Sequence, residues 1–328
     1  TTRAPAAEFE AGLELLATDD DENRVSGSIS GPLGDSFGYR LTGYWSDLDG
    51  YIDNLTYIRD INNTESKGAR LKLRWDITDA VQADLNMYYS EDEAVCCAMT
   101  WAELDPEARV FGVVPEPIAE GITPSEENRK VRTDDEPDSK TENNGANLRF
   151  NVGMGEFTLT SITAYDNWQY DDVQDVDFSD VDAVGFFTGG AFEGGLKSFS
   201  QVETDFFSQE FRLTSPAYDK YDYLLGLYYA DAETDREFLR NPGLPVLPSS
   251  WLATAGTESL AVFGQFNWRF TEATHLTVGL RWNEEEVSVD YTNRLDPTSA
   301  EIRGKDSDSE PLGNLSLQHY FNDDVMLY

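Results

Sequence analysis

Cys96 and Cys97, adjacent in the sequence, are the two cysteines of this chain of 328 residues. Adjacent Cα atoms lie about 3.8 Å apart across a trans peptide bond, which is less than the separation usual for a disulfide. A vicinal disulfide can still close in an oxidising compartment, and we predict one here that shapes a loop. Capture of a soft metal ion together with Met99 is the alternative.

Closely spaced carboxylates form a second candidate site, made of Asp171, Asp172, Asp175 and Asp177. Hard cations such as Ca²⁺ bind several oxygen ligands at this density. The group is therefore a candidate metal site, and Ca²⁺ is the one cofactor that the sequence suggests. The alternative is a solvated acidic loop whose charges are bridged nonspecifically by divalent ions.

Basic and aromatic residues form a third candidate site, for a small-molecule ligand. The basic residues recur on one face of alternating segments: Arg40, Arg70, Lys72, Arg74, Arg149, Arg212, Arg269 and Arg281. They would attract anionic ligands, since Arg forks fit carboxylate oxygens; alternatively they pair with Asp76, Asp84 and Glu210. The aromatic candidates lie in polar connections: Tyr57, Trp101, Phe186, Phe187 and Trp251. They would stack on a ligand ring or pack the loops together.

Composition and motifs exclude several classes of protein. The chain has 62 acidic and 24 basic residues, for a net charge of −38, and such a chain repels the phosphates of nucleic acids. The longest apolar run, Tyr223 to Ala230, is far shorter than the roughly 20 residues of a membrane-spanning helix. No nucleophile elbow, phosphate loop or zinc motif is present, and His275 and His319 lie beside turns. We therefore expect no catalytic residue and no enzyme.

The elements that must position these residues are β-strands, because the dominant apolar period is two. Ala69, Leu71, Leu73 and Trp75, for example, alternate with charged residues, and no segment has a convincing helical period. The predicted strands are 8–16, 23–31, 37–47, 67–77, 81–91, 144–153, 157–169, 203–214, 221–232, 258–269, 274–289 and 310–320, with a further one beginning at Val325.

The connections between the strands indicate the architecture. Short turns alternate with long polar connections at 48–66, 92–143, 170–202, 233–257 and 290–309. Membrane β-barrels sort their loops in this way, strands of roughly ten residues suit a tilted crossing, and aromatic residues lie at strand ends, as in membrane girdles. We predict an all-β, antiparallel transmembrane β-barrel. A soluble β-rich protein that binds carbohydrate is the alternative.

Several segments resemble the TonB-dependent outer-membrane receptors. They are the opening TTRAPAAEFEAGLEL, residues 25–54, 207–216 and 260–286, and the closing FNDDVMLY. The resemblance implies a barrel of about 22 strands around an N-terminal plug. Residues 1–328 would then be one partial barrel domain of about twelve or thirteen strands. We expect the plug and the C-terminal strands to lie outside this sequence, in a longer native protein.

The family resemblance also implies a function. Its members reside in the bacterial outer membrane, among lipid and lipopolysaccharide, and take up a scarce ligand, most often a ferric siderophore. The TonB–ExbB–ExbD complex would act through the plug. The basic residues would then line the lumen and pair either with the ligand or with acids of the lumen and plug. A passive, porin-like diffusion channel is the alternative mechanism.

Overall fold

A computed structural model of the chain describes residues 2–19, 21–57, 59–105, 107, 119–134, 137–296, 298, 301–322 and 325–328. Its elements, in chain order, are β1 Glu10–Ala17, β2 Glu22–Pro32, β3 Phe37–Leu48, β4 Ile52–Asn54, β5 Arg59–Ile61, β6 Thr64–Thr78, β7 Val81–Ala94, β8 Lys130–Val131, β9 Asp138–Met154, β10 Phe157–Asp175, α1 Ala183–Thr188, β11 Lys197–Thr214, β12 Tyr221–Arg240, β13 Ser249–Thr271, β14 Thr274–Asn293, β15 Ile302–Asn322 and β16 Val325–Leu327. No described helix has the length and apolar character needed to cross a membrane.

One antiparallel sheet of 13 strands makes up most of the described chain. Each strand pairs with the next along the sequence, and only β4, β5 and β8 lie outside this sheet. Tight turns join the strands at one end, where Gly34 and Gly155 have φ values of 92° and 67° that glycine adopts without steric cost. The prediction of an antiparallel barrel wall is confirmed. The sheet is open between β1 and β16, as expected of a partial barrel.

The two faces of the sheet differ in polarity. In β14, Val278 and Leu280 lie on one face, while Thr277 and Arg281 lie on the other. The apolar face meets solvent, since Leu280 is 68% exposed and Val262, on the neighbouring strand, is 53% exposed. An outward apolar band and a polar interior are the arrangement of membrane barrels. We call the apolar face the outer face and the polar face the inner face.

At the end of the sheet opposite the tight turns, the strands extend further than the sequence predicts. Strands β9 to β15 contain 17 to 23 residues, whereas a tilted membrane crossing needs about 9–11. The predicted long connections at 233–257 and 290–309 are therefore wrong, because β12 continues to Arg240, β13 begins at Ser249, β14 continues to Asn293 and β15 begins at Ile302. Parts of the extensions, such as Thr234 to Glu237, are polar on both faces and lack the alternation that identifies a strand.

The buried residues of the described chain lie mainly in the connections at this same end. Ile52, Ile61 and Val131 form one apolar cluster, and β4 pairs with β8 in parallel, which joins two loops. A second cluster contains Val184 of α1 and Val246. The helix has six residues, too few to give a helical period in the sequence, and Asp182 caps it by accepting the N–H of Gly185 at 2.8 Å. We call these joined connections the loop cap.

Candidate ligand-binding site on the inner face

All eight predicted basic residues lie on the inner face. Cross-strand partners in an antiparallel sheet share a face, and the register places Arg40 opposite Lys72, Lys72 opposite Asn86, and Asn86 opposite Asn147. The same register continues across the sheet to β14, where Arg281 pairs with Phe263. The alternation read from the sequence therefore assigns the basic face correctly.

Most of these basic residues are paired with acids. Asp84 accepts hydrogen bonds from Arg74 at 3.0 Å and from Arg149 at 2.8 Å. The other ion pairs are Arg40 with Glu10, Arg212 with Glu210, and Arg269 with Asp222. Arg74, Arg149 and Arg212 therefore pair with Asp84 and Glu210, two of the acids that the sequence offers as their partners. The predicted acid Asp76 instead accepts from Gln82 at 2.7 Å.

Two predicted arginines lie over aromatic rings instead. The Cζ atom of Arg70 is 5.0 Å from the centre of the Tyr88 ring. The Cζ atom of Arg281 is 5.6 Å from the Tyr228 ring and 5.8 Å from the Phe263 ring. Neither arginine forms an ion pair with an acid in the part of the chain that the structure describes. A half-buried guanidinium that lies over a ring still has N–H groups that can donate hydrogen bonds to an anionic partner.

Trp251 belongs to an aromatic cluster on the inner face, near the loop cap. Its ring stacks on Phe238 with centroids 5.3 Å apart and lies 5.9 Å from Tyr291. The Cζ atom of Arg236 is 5.3 Å from the Trp251 ring. We call these four residues the mouth cluster. It comes from three neighbouring strands, β12, β13 and β14, which hold the rings side by side.

The other predicted aromatic residues are placed separately in the loop cap. Tyr57 donates its hydroxyl to the Asp134 carbonyl, and the Trp101 carbonyl accepts from Asn128 at 3.2 Å. Phe186 and Phe187 form an edge-to-face pair on α1 and are 54% and 47% exposed. Of these aromatic residues, Trp251 is the one that lies on the inner face, beside the basic residue Arg236.

The two remaining predicted sites lie beside each other in the loop cap. The sulfur atoms of Cys96 and Cys97 are joined, and the peptide bond between these residues is cis. The pair lines a pocket of about 150 Å³ with Asp172 and Asp175. Asp175 and Asp177 come together with Asp134, while Asp171 is exposed and outside that group. Burial, together with the charges of Asp177 and Asp134, raises the pKa of Asp175 to about 8.

Sequence reasoning missed several residues of the inner face. Arg236 and Phe238 lie in a stretch read as a loop, and Tyr291 lies just beyond the predicted end of its strand. Asp134 is distant in sequence from the other acids that it joins. Phe238 and Tyr291 approach Trp251 through the register of three strands, which no local sequence pattern reveals.

The chain resembles known proteins in sequence and in structure. A family model described as TonB dependent receptor-like, beta-barrel, matches residues 105–328, which is more than half of the chain. The pesticin receptor of Yersinia enterocolitica is 29% identical over 111 residues, covering 33% of this chain and 16% of that receptor. The pesticin receptor of Yersinia pestis has the same identity over the same length.

Solved structures share the fold over nearly the whole chain. The ferric yersiniabactin uptake receptor FyuA from Yersinia pestis matches 98% of this chain with a TM-score of 0.76 and 18% identity. The siderophore receptor PiuA from Acinetobacter baumannii matches 98% with a TM-score of 0.72 and 13% identity. This chain covers 46% and 48% of those two structures. The family match and the thirteen-stranded wall together show that the chain belongs to the TonB-dependent receptors of the bacterial outer membrane, as part of their β-barrel.

Proposed function

We propose that this chain forms part of the barrel wall of a receptor that actively takes up a ferric siderophore. In this proposal the loop cap captures the ligand, the inner face holds it, and the TonB–ExbB–ExbD complex supplies the energy for its release. Lipid and lipopolysaccharide surround the outer face. No bond of the ligand is made or broken, so the protein is a transporter and not an enzyme.

The observation that carries the proposal is the position of Arg281 over two aromatic rings of the inner face. Its guanidinium attracts anionic oxygens, while Tyr228 and Phe263 offer faces on which planar groups stack. The mouth cluster repeats this combination nearer the loop cap, with Arg236 over Trp251. Siderophores that bind iron through carboxylate or catecholate oxygens present both anionic oxygens and, in many cases, rings.

The relatives support the same ligand class. The solved structures of similar fold include receptors named for ferric yersiniabactin and for a siderophore, and one named for ferric-catecholate import. These names give the ligands of the similar proteins. For this chain they favour iron complexes over other scarce nutrients, and the guanidinium groups of Arg70 and Arg281, which lie over aromatic rings, are consistent with an anionic complex.

Transport of iron by the whole receptor tests the proposal. Cells grown under iron starvation would be given their own secreted siderophores loaded with ⁵⁵Fe, with and without the receptor gene. We expect the gene to increase uptake, and we expect a TonB deletion or a protonophore to abolish that increase. Uptake that depends on the receptor but continues without TonB would establish a passive channel and overturn the proposal. Immunoblots of outer membranes control for receptor level.

A further inference from the structure

Three aspartates from two separate parts of the sequence meet in the loop cap. Asp134 follows β8, Asp175 ends β10, and Asp177 begins the connection that contains α1. One carboxylate oxygen from each residue lies within 4.8 Å of those of the other two. Like charges at this separation repel one another strongly in a partly buried environment, so the arrangement needs a physical reason.

Asp175 supplies an independent indication of a missing partner. It is 3% exposed, and its Oδ1 atom accepts the N–H groups of Asp177 at 3.1 Å and Phe178 at 2.8 Å. Its Oδ2 atom is buried and has no hydrogen-bond partner among the described residues. An unsatisfied carboxylate oxygen in the interior is costly, and a bound cation would remove that cost.

We propose that Asp134, Asp175 and Asp177 bind a hard divalent cation, for which Ca²⁺ fits best. The three residues offer oxygen atoms alone, which Ca²⁺ and Mg²⁺ prefer to the nitrogen and sulfur ligands of zinc. Ca²⁺ tolerates irregular geometry and completes its shell of six to eight oxygens with carbonyl groups and water. The inference is independent of the transported ligand.

Gly195 shows how closely the chain surrounds these carboxylates. A Cβ atom added at Gly195 would lie 2.3 Å from the Oδ1 atom of Asp134, so the backbone before β11 covers one side of the group. The N–H of the next residue, Leu196, donates to the Oδ2 atom of Asp177 at 2.8 Å. Main chain and carboxylates thus enclose a small volume, which suits a single ion.

The cation would join two connections that are already linked nearby. Asp180 accepts hydrogen bonds from Thr56 at 3.1 Å and from Arg132 at 2.9 Å. A cation between Asp134 and Asp177 would add a second link between the segment after β8 and the segment that contains α1. Its binding would therefore hold the loop cap in one arrangement.

Calcium binding by the whole receptor tests this inference. The receptor, purified in detergent and stripped with EDTA, would be dialysed against ⁴⁵Ca²⁺. The test variants are Asp175→Asn and Asp177→Asn, and the matched control is Asp171→Asn, which alters an exposed acid of the same segment. We expect one saturable site in the wild type and in the control, and an affinity at least about tenfold weaker in the test variants. Heat-modifiable mobility on gels shows that each variant is folded.

Proteolysis of the loop cap gives a second readout. Ca²⁺ should slow cleavage within residues 176–196 in the wild type and in Asp171→Asn, with little effect in Asp175→Asn. Equal Ca²⁺ affinity in the wild type and both test variants would overturn the inference. The inference would also be overturned if the wild type bound no more Ca²⁺ than the test variants. In that case Lys197, the register partner of Asp175, would balance the negative charge. Receptor that fails to transport but binds Ca²⁺ would refute only the proposed function.

Discussion

The side chain of Asn54 is hydrogen-bonded to Thr133, 79 residues away in the sequence, inside the loop cap. Its Nδ2 atom donates to the Thr133 hydroxyl at 3.0 Å and to the Thr133 carbonyl at 3.3 Å. Its Oδ1 atom accepts the N–H groups of Thr56 at 3.1 Å and Thr133 at 3.4 Å. Asn54 is 1% exposed, so water does not replace these bonds. One amide therefore holds together two loops that belong to different parts of the sequence.

Replacing Asn54 should release the two loops from each other. Asn54→Ala removes the partner of the half-buried Thr56 N–H and of the buried polar groups of Thr133, and each buried group left unpaired costs about 1–3 kcal/mol. We expect faster hydrogen exchange in residues 52–56 and 130–133, while the strands of the barrel wall keep their protection. Asn314→Ala, at an exposed position, is the control. Unchanged exchange in Asn54→Ala would contradict the structural role given to this amide.

Removal of the Arg281 guanidinium should weaken ligand binding. Arg281→Ala removes charge-assisted hydrogen bonds to an anionic ligand, and we expect the Kd for the ferric siderophore of the host to rise about tenfold, equivalent to about 1.4 kcal/mol. Tryptophan fluorescence of the detergent-solubilised receptor measures the Kd. Arg149→Ala is the control, because Arg74 remains beside Asp84 in that variant. Equal affinity of the Arg281 variant and the wild type would remove Arg281 from the binding site.

A charge on the outer face should impair folding into a bilayer. Leu280 faces outward six residues after the start of β14, which is near the middle of a membrane crossing of about 9–11 residues that starts at the tight turn. Arginine at the bilayer midplane costs about 2–4 kcal/mol. We expect Leu280→Arg to lower the folded fraction in lipid vesicles, measured by heat-modifiable gel mobility. Gln265→Arg, on the inner face of the neighbouring strand, should fold nearly as well as the wild type. If both variants folded equally well, the assignment of the two faces would be wrong.

Cys96 and Cys97 should give no free thiol in the oxidised receptor. The structure joins their sulfur atoms, so thiol titration of the denatured, unreduced protein should detect none, and titration after reduction should detect both. The double variant Cys96→Ser with Cys97→Ser is the blank. Reactive thiols before reduction would instead favour free cysteines and reopen soft-metal binding with Met99.

The loop cap should also respond to pH through Asp60. A hydrogen bond with Asp53 raises the pKa of Asp60 above its ordinary value, so the folded state binds a proton more tightly than the unfolded state does. Stability from this pair is then present below the ordinary pKa and declines as pH rises through the raised value. Hydrogen exchange of residues 52–57 and 59–61 at low salt should quicken as the pH rises above the ordinary pKa of an aspartate, after correction for the intrinsic rate. Asp60→Asn should flatten this trend.

The apolar period of two residues was sufficient to predict most strands of the barrel wall. Segments such as 69–77 alternate apolar and charged side chains, because each faces lipid on one side and a polar interior on the other, and all thirteen predicted strands of the large sheet are present. The predicted strand ends on the loop-cap side were wrong, because the strands continue beyond the membrane-spanning part. In Thr234 to Glu237 both faces are polar, and a polar strand has the composition of a loop.

The sequence by itself determined the strand order, the outer and inner faces, and the placement of every predicted arginine on the inner face. These are local properties, since alternation along one strand sets the direction of each side chain. Only the tertiary structure decided that Arg74 and Arg149 share Asp84, that Trp251 lies between Phe238 and Tyr291, and that Asp134 joins Asp175 and Asp177. Such contacts depend on strand register and on loops that meet in space. Side chains far apart in the sequence acquire their chemistry only when the sheet brings them together.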